Sequence, residues 1–435
     1  MKQQFFPPAS LLRVISFNRF VRGILQGFML ARFLPDAHRL GWSMAFAGIL
    51  LSASLLTDFC LTLLIGHQSD RRSPAVLLMA GESCSLGAGL LFLLFPDPFF
   101  LGLAILMAGA GQRSNGSPGP WAPAEQAILS RYGSRKNPFS VFSHNTSWGL
   151  WGMGAGAAFG AMHLWQAPSH PLETFRFAMS GLVATSLLNL AVLSSHRRED
   201  LPSMPAPVQG ETGFLSVREK TNLTAMVFSN IFYGLSIGLA DAMIAYWFVL
   251  KFKATPDHIS FLLALSFLFS GVVAWFLGQV KKKRVATVYV FLQMAGLAGM
   301  AFLPSSATIV AAGSLYTLRM ASVRATGGIR QALATQSVRP ERSGWAAGLH
   351  FASLHLLQVA GPALTGYFWE KHRTGAPLLL AVACMAASFL FTIFLYARTV
   401  LKRTPSTGDI PGVQNHPHRV TSFETRRSED ASHRF

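Results

Sequence analysis

The sequence predicts an all-α polytopic membrane protein: twelve transmembrane helices arranged as two pseudo-symmetric six-helix bundles. Three observations predict it. Of 435 residues, 51 % are hydrophobic and only 13 % are charged, and this charged share is about half that of a soluble chain. The apolar residues gather in twelve segments, each near the roughly 20 residues a helix needs to cross a bilayer. Landmarks of the first half also recur in the second at nearly constant spacing.

The segments run over residues 14–35, 41–65, 74–95, 98–118, 139–164 and 173–194, then 221–250, 257–279, 285–303, 307–326, 344–369 and 375–400. Helices are expected for all of them, because a lipid-exposed backbone has to satisfy its own hydrogen bonds. The first carries Arg22 and Gln26 one turn apart, on one face. The second holds Asp58 about two turns before Gly66, and the third carries Glu82. The fourth carries Arg113. The fifth carries His144 and Asn145 ahead of "GLWGMGAGAAFGAM", a run of small residues that lets helices approach closely. The seventh holds Asp241 and Tyr246, the tenth Arg319 and Arg324, and the eleventh His350 and Gln358. Ionisable groups inside spans cost about 2.5–3.5 kcal/mol on insertion scales, so each is a candidate functional residue.

The formal charge is +18, which in a soluble chain would suggest nucleic acid. Here the basic residues fall mostly between apolar runs, so membrane topology accounts for them and no nucleic-acid partner is expected. Loops after even-numbered segments carry the larger share, including Arg71, Arg72, Arg197, Arg198, Lys281 and Lys282. That side is expected to be cytoplasmic, with both termini on it. The start, "MKQQFFPPASLLRV", does not read as a cleavable signal peptide. A prokaryotic plasma membrane is expected from the short loops. Cys60, Cys84 and Cys384 lie in apolar segments without ligand spacing and read as small core residues. The stretch 195–220 is rich in Pro, Gly and charge and reads as a cytoplasmic linker. It separates a bundle over 1–194 from one over 221–403, and 404–435 reads as a disordered tail whose His416 and His418 are solvated.

The repeat is visible in two places. "GHQSDRRSPAVLL" begins at Gly66 after the second segment, and "GQVKKKRVATVYV" at Gly278 after the eighth. "AEQAILSRYGSRKNPFSVFSHN" lies between segments four and five, and "IRQALATQSVRPERSGWAAGLHF" between ten and eleven. Gln126 then matches Gln331, His144 matches His350, and Glu125 falls opposite Arg330. Two parallel six-helix repeats fit this pattern.

The Gly66-xxx-Asp70-Arg71 loop, the degenerate copy after segment eight and the central linker resemble the major facilitator superfamily over roughly residues 10–402. "VRPERSGWAAG" followed by "AGPALTGYF" resembles its late spans. The resemblance implies secondary transport by rocking of two halves about a central site. It implies a conformational latch formed by Gly66, Asp70, Arg71 and Arg72, with Gly278, Lys282 and Arg284 as the second copy. In the outward-facing state Asp70 would meet the N-terminus of span eleven, where a helix dipole favours a carboxylate by about 0.3–1 kcal/mol. The loop departs from the superfamily pattern at Arg72-Ser73-Pro74-Ala75, and Lys282 stands where the second copy would carry an acid. Spans one, four, seven and ten commonly line the cavity in that superfamily, which implies Gln26, Arg113, Asp241 and Arg319 as lining residues. Asp58, on a span the resemblance places at the periphery, joins them as a mid-span acid, with Tyr246, Gln358 and the His144/His350 pair.

The expected function is alternating-access transport of a small solute, proton-coupled through Asp241 or Asp58. An exporter of an amphipathic or cationic compound is the leading reading, because acids in a cavity attract cations. Organic-anion or metabolite uptake or exchange, favoured by the deep arginines, is the alternative, and a non-transporting sensor or assembly partner is a third. No HExxH, GxSxG or P-loop pattern points to an enzyme. No cofactor or metal is expected, and the protein reads as a monomer in lipid.

Overall fold

Helix starts in this chain are chemically marked. Ser43, Thr255 and Thr308 each accept from the amide three residues on, at 3.1, 3.4 and 3.2 Å, which satisfies an otherwise orphaned donor. Pro74 and Pro256 open helices where a missing N–H costs nothing. Ser216 and Glu219 cap one another reciprocally.

The structure, a computed structural model, describes residues 9–108, 116–133, 137–161, 171–195, 216–241, 243–338 and 342–400. Among the described residues there are helices, turns and short connections but no strand. The first half comprises α1 (Ala9–Arg39), α2 (Met44–Ser69), α3 (Pro74–Leu94), α4 (Pro98–Ala108), α5 (Ala122–Gly133), α6 (Pro138–Ala161) and α7 (Pro171–Ser195). The second comprises α8 (Val217–Ala240), α9 (Ile244–Phe252), α10 (Pro256–Gln279), α11 (Lys282–Phe302), α12 (Ile309–Ala325), α13 (Gly327–Gln336), α14 (Ser343–Gln358), α15 (Ala360–Glu370) and α16 (Ala376–Val400). Seven of these, α2, α3, α7, α8, α10, α11 and α16, are by themselves long and apolar enough to cross a membrane. Leu56, Leu64, Phe261, Phe276, Phe291 and Leu390 stand exposed on their outer faces, a belt suited to lipid.

The other spans are polar or broken. Span four divides into α4 and α5, span seven into α8 and α9 at Asp241, span ten into α12 and α13 at Thr326, and span eleven into α14 and α15 at Val359. This corrects two sequence boundaries. Segments four and ten do not end at 118 and 326, and "AEQAILSRYG" and "GGIRQALATQ", read as connecting stretches, are the helices α5 and α13. Both are largely buried, because their polar side chains face partners across the bundle and not water. Hydropathy alone counts such residues as loop. Gly116, next to the break in span four, has φ +64°, and a Cβ there would run into the Arg19 carbonyl oxygen. Side chains of α1 take up the carbonyls freed by the break: Arg22 Nε donates to Gly116 O at 3.2 Å and Gln26 Nε2 to Ser117 O at 2.8 Å.

The halves meet along two seams. In one, α6 crosses α10, with Trp151 packed on Gly271 and Ser147 Oγ donating to Gly271 O at 2.5 Å. In the other, α2 lies against α14 and α15. There a Cβ at Gly348 would stand only 2.8 Å from Gly66 Cα, so two glycine backbones are in direct contact. Cys60 and Cys84 are exposed and only Cys384 is buried, which corrects the reading of all three as core residues. They sit on the outer faces of α2 and α3. Residues 196–215 of the expected linker and all of the expected tail lie outside the described residues.

Candidate functional site

A cavity of about 100 Å³ lies between the halves. Its walls come from both repeats: Arg19, Leu55, Asp58 and Ser117 on one side, and Tyr233, Arg324, Arg330, Gln331, His350, Phe351, His355 and Gln358 on the other. Four of the contributing segments lie at helix breaks or in the half-helices beside them, where chain polarity is densest.

In the first half, Glu125 of α5 accepts from Arg19 at 2.5 Å, from Arg22 at 3.0 Å and from Asn145 at 2.9 Å. Arg22 also reaches Glu82 at 2.6 Å, and Asn189 donates to the same Glu82 oxygen at 3.1 Å. Each buried charge thus has opposite charge and hydrogen bonds, the condition for keeping ions inside a protein. In the second half, Asp241 sits at the α8–α9 break and takes guanidinium donors from Arg319 and, at 2.8 Å, from Arg324.

Arg330 of α13 differs from these. Its Nη2 donates to Asn230 Oδ1 at 2.8 Å and Ser229 Oγ at 3.3 Å, and its Nη1 to the Tyr289 hydroxyl at 3.3 Å. The guanidinium lies 3.9 Å from the centre of the Tyr233 ring. Among the described residues no carboxylate lies within ion-pair distance of it. Among the described residues that line the cavity, Arg19, Arg324 and Arg330 stand against one carboxylate, Asp58. Next to Arg330, Gln331 meets its repeat mate: Gln126 Nε2 donates to Gln331 Oε1 at 3.2 Å. The pseudo-two-fold axis therefore passes between these two amides.

Both ends of the cavity are bridged. At one end the Asp70 carboxylate accepts from the backbone amides of Gly344 and Trp345, both at 2.8 Å, at the N-terminus of α14. Gly66 lies one turn back, on the glycine contact with Gly348. Arg71, Arg72, Lys282 and Arg284 are exposed and form no ion pair among the described residues. Gly278, the counterpart of Gly66, packs instead under the His144 ring. At the other end Gly48 lies against Pro362, Gly366 against Met44, and Tyr246 of α9 lies near His38 of α1, ring centres 6.4 Å apart.

Of the residues singled out from the sequence, Asp58, His350 and Gln358 line the cavity. Asp58 does so although its span was expected at the periphery, because α2 packs directly on α14, whose His350, His355 and Gln358 line the same cavity. Asp241 and Arg319 lie behind the wall, bonded to one another. Gln26 faces a separate cavity of about 50 Å³ inside the first half, with Arg22, Glu82 and Ser85. His144 lies at the α6–α10 seam, 4.4 Å from the Trp275 ring centre. Tyr246 packs against Trp369, ring centres 5.7 Å apart and planes tilted by 39°, near the end opposite Asp70. Neither faces the central cavity: seam packing captures both rings. Arg113 lies outside the described residues. The sequence reading left out Arg19, Asn230, Tyr233 and His355, and treated Glu125 and Arg330 as loop residues. The repeat alignment, which set Glu125 opposite Arg330, was the signal that marked them.

No sequence family and no curated protein matches the chain. Several solved structures do. The human organic anion transporter MFSD10 (TETRAN) superposes with a TM-score of 0.68 at 11 % identity, covering 88 % of this chain and 100 % of that one. FucP, a major facilitator superfamily transporter in the outward conformation, gives 0.64 at 13 % identity over 88 % and 98 % of the two chains. A bacterial homologue of the iron transporter ferroportin, in its outward-facing state, gives 0.64 at 13 % over 89 % and 100 %. With twelve spans in two pseudo-symmetric halves about a polar cavity, this multi-pass membrane chain has the fold of the major facilitator superfamily.

Proposed function

We propose that the protein is a secondary active transporter that carries a small solute by alternating access. The observation that carries this is the cavity on the pseudo-two-fold axis, walled by both repeats and bridged at each end by contacts between them. Breaking one set of contacts while keeping the other would expose the cavity to one side at a time. Asp70, with Gly66, forms the latch at one end: its carboxylate on the α14 amides is an interface that rocking would break and remake.

The excess positive charge of the wall favours an organic anion over the cationic compound that acids alone would suggest. The transported substrate named for MFSD10 is in keeping with that choice. Proton coupling is assigned to Asp58. Asp58 is the acid that lines the central cavity, where a passing solute meets it, whereas Asp241 lies behind the wall. The basic residues on the latch face, such as Arg71, Arg72, Lys282 and Arg284, favour the cytoplasmic side of a plasma membrane for that face and for both termini. The test is accumulation of labelled anions and cations in host cells, with and without a protonophore, for the parent, Asp58→Asn and Asp70→Asn. Protonophore-sensitive movement of an anion, lost in Asp58→Asn, is the expected result. Uphill movement that survives in Asp58→Asn refutes the assignment of the proton site.

A further inference from the structure

Arg330 is 7 % exposed in α13, the second part of span ten, on the cavity wall, and among the described residues no carboxylate lies within ion-pair distance of it. A buried cation in a bilayer protein is costly unless something neutralises it. Its surroundings fix it without neutralising it. Asn230 turns its oxygen to Arg330 because its amide nitrogen is already committed to His350 Nδ1 at 2.9 Å and Ser353 Oγ at 3.1 Å. Ser229 is tied to Thr392 Oγ1 at 2.6 Å. The ring of Tyr233 supports the guanidinium face at 3.9 Å. These contacts use three of the five guanidinium protons, so Nε–H and one Nη1–H remain for a ligand. Beside it the wall turns apolar, with Leu55, Ile237, Phe351 and Leu354.

We propose that Arg330 anchors the acidic group of the transported solute, and that this solute is an amphipathic organic monoanion, its carboxylate on the guanidinium and its body on Leu55, Ile237, Phe351 and Leu354. Asn230 is the positioning residue. The two N–H groups that Arg330 keeps free match a single carboxylate. The proposal rests on the central cavity being the solute site.

The test uses the purified full-length protein in detergent, with benzoate, phenylacetate and octanoate as probes and the corresponding neutral amides as controls. Thermal unfolding is followed as each is titrated into the millimolar range. At least one carboxylate is expected to raise Tm in a saturable way, and its amide is not. Arg330→Gln should weaken that binding by roughly tenfold to a hundredfold, the loss of one charge-assisted bond, and Arg330→Lys should restore part of it. Should Arg330→Gln fail to fold, Asn230→Asp serves instead. It sets a carboxylate 2.8 Å from Nη2, and should abolish anion binding while the protein remains folded. Carboxylates that fail to stabilise the parent, amides that stabilise it as well, or anion binding unchanged in Arg330→Gln or Asn230→Asp each overturn the proposal. Counterflow in proteoliposomes separates it from the transport reading. Binding without counterflow refutes transport and upholds the anchor, whereas counterflow of tetraphenylphosphonium without carboxylate binding overturns the anchor alone.

Discussion

Replacing Asp70 with Asn changes one oxygen to an NH₂ group and leaves the side-chain shape as it was. In the native chain the two carboxylate oxygens accept from Gly344 N and Trp345 N, both at 2.8 Å. An asparagine keeps one acceptor and turns a donor towards the second amide, and it removes the negative charge from the positive end of α14. Losing one hydrogen bond to a charged group costs about 1.5–3 kcal/mol, and the helix-end charge adds about 0.3–1 kcal/mol. The loss falls on the latched conformation alone. About 2–3 kcal/mol shifts the ratio of latched to open molecules by roughly 30- to 150-fold. Spin labels at exposed His67 on α2 and half-buried Leu349 on α14, in a chain whose three cysteines have been replaced, report that separation. Double electron–electron resonance should show a single short distance for the parent and a long component for Asp70→Asn. An unchanged distribution, with Asp70→Asn altering only Tm, would refute the latch and reduce the contact to an ordinary helix cap.

Asp241→Asn strands Arg319 and Arg324 without their carboxylate, and breaking such a buried set costs about 3–5 kcal/mol. A large fall in Tm is expected, whereas Asp58→Asn should lower transport. Gly348→Ala forces a methyl group against Gly66 Cα at 2.8 Å. Overpacking of about 1–3 kcal/mol should lengthen the same spin-label distance as Asp70→Asn while leaving the charge intact. Gly116→Ala combines a left-handed backbone with a collision on the Arg19 carbonyl, and loss of folded protein on size-exclusion chromatography is the expected outcome. Gln126→Ala removes one neutral bond of 3.2 Å, and Tm should move by no more than about 1 kcal/mol of stability implies.

The twelve spans and their division into two bundles were legible because lipid-facing residues such as Phe261, Phe276 and Leu390 make long apolar runs. The breaks were not. Hydropathy reads Glu125, Gln126, Arg330 and Gln331 as water-facing, since it has no knowledge of Arg19 or Asn230, about a hundred residues away in sequence and in hydrogen-bond contact in space. The central site was legible only in part for the same reason. A lone acid in an apolar run, such as Asp58, stands out, whereas acids and bases that neutralise one another across the bundle are scattered through the chain. Tyr246 and His144 show the reverse error: a polar ring inside a span looks functional until the packing of Trp369 and Trp275 against it is seen.

The contact of Gln126 with Gln331 sets a rule for what two copies of one unit can carry where they touch. A side chain on a two-fold axis is its own neighbour. Two carboxylates there would repel, and so would two guanidiniums, but an amide offers a donor to one copy and an acceptor to the other. One position earlier the rule lapses, and the copies bear Glu125 and Arg330. Identity at the axis and opposition beside it let one half hold its charge in internal pairs while the other turns a cation towards the space between them.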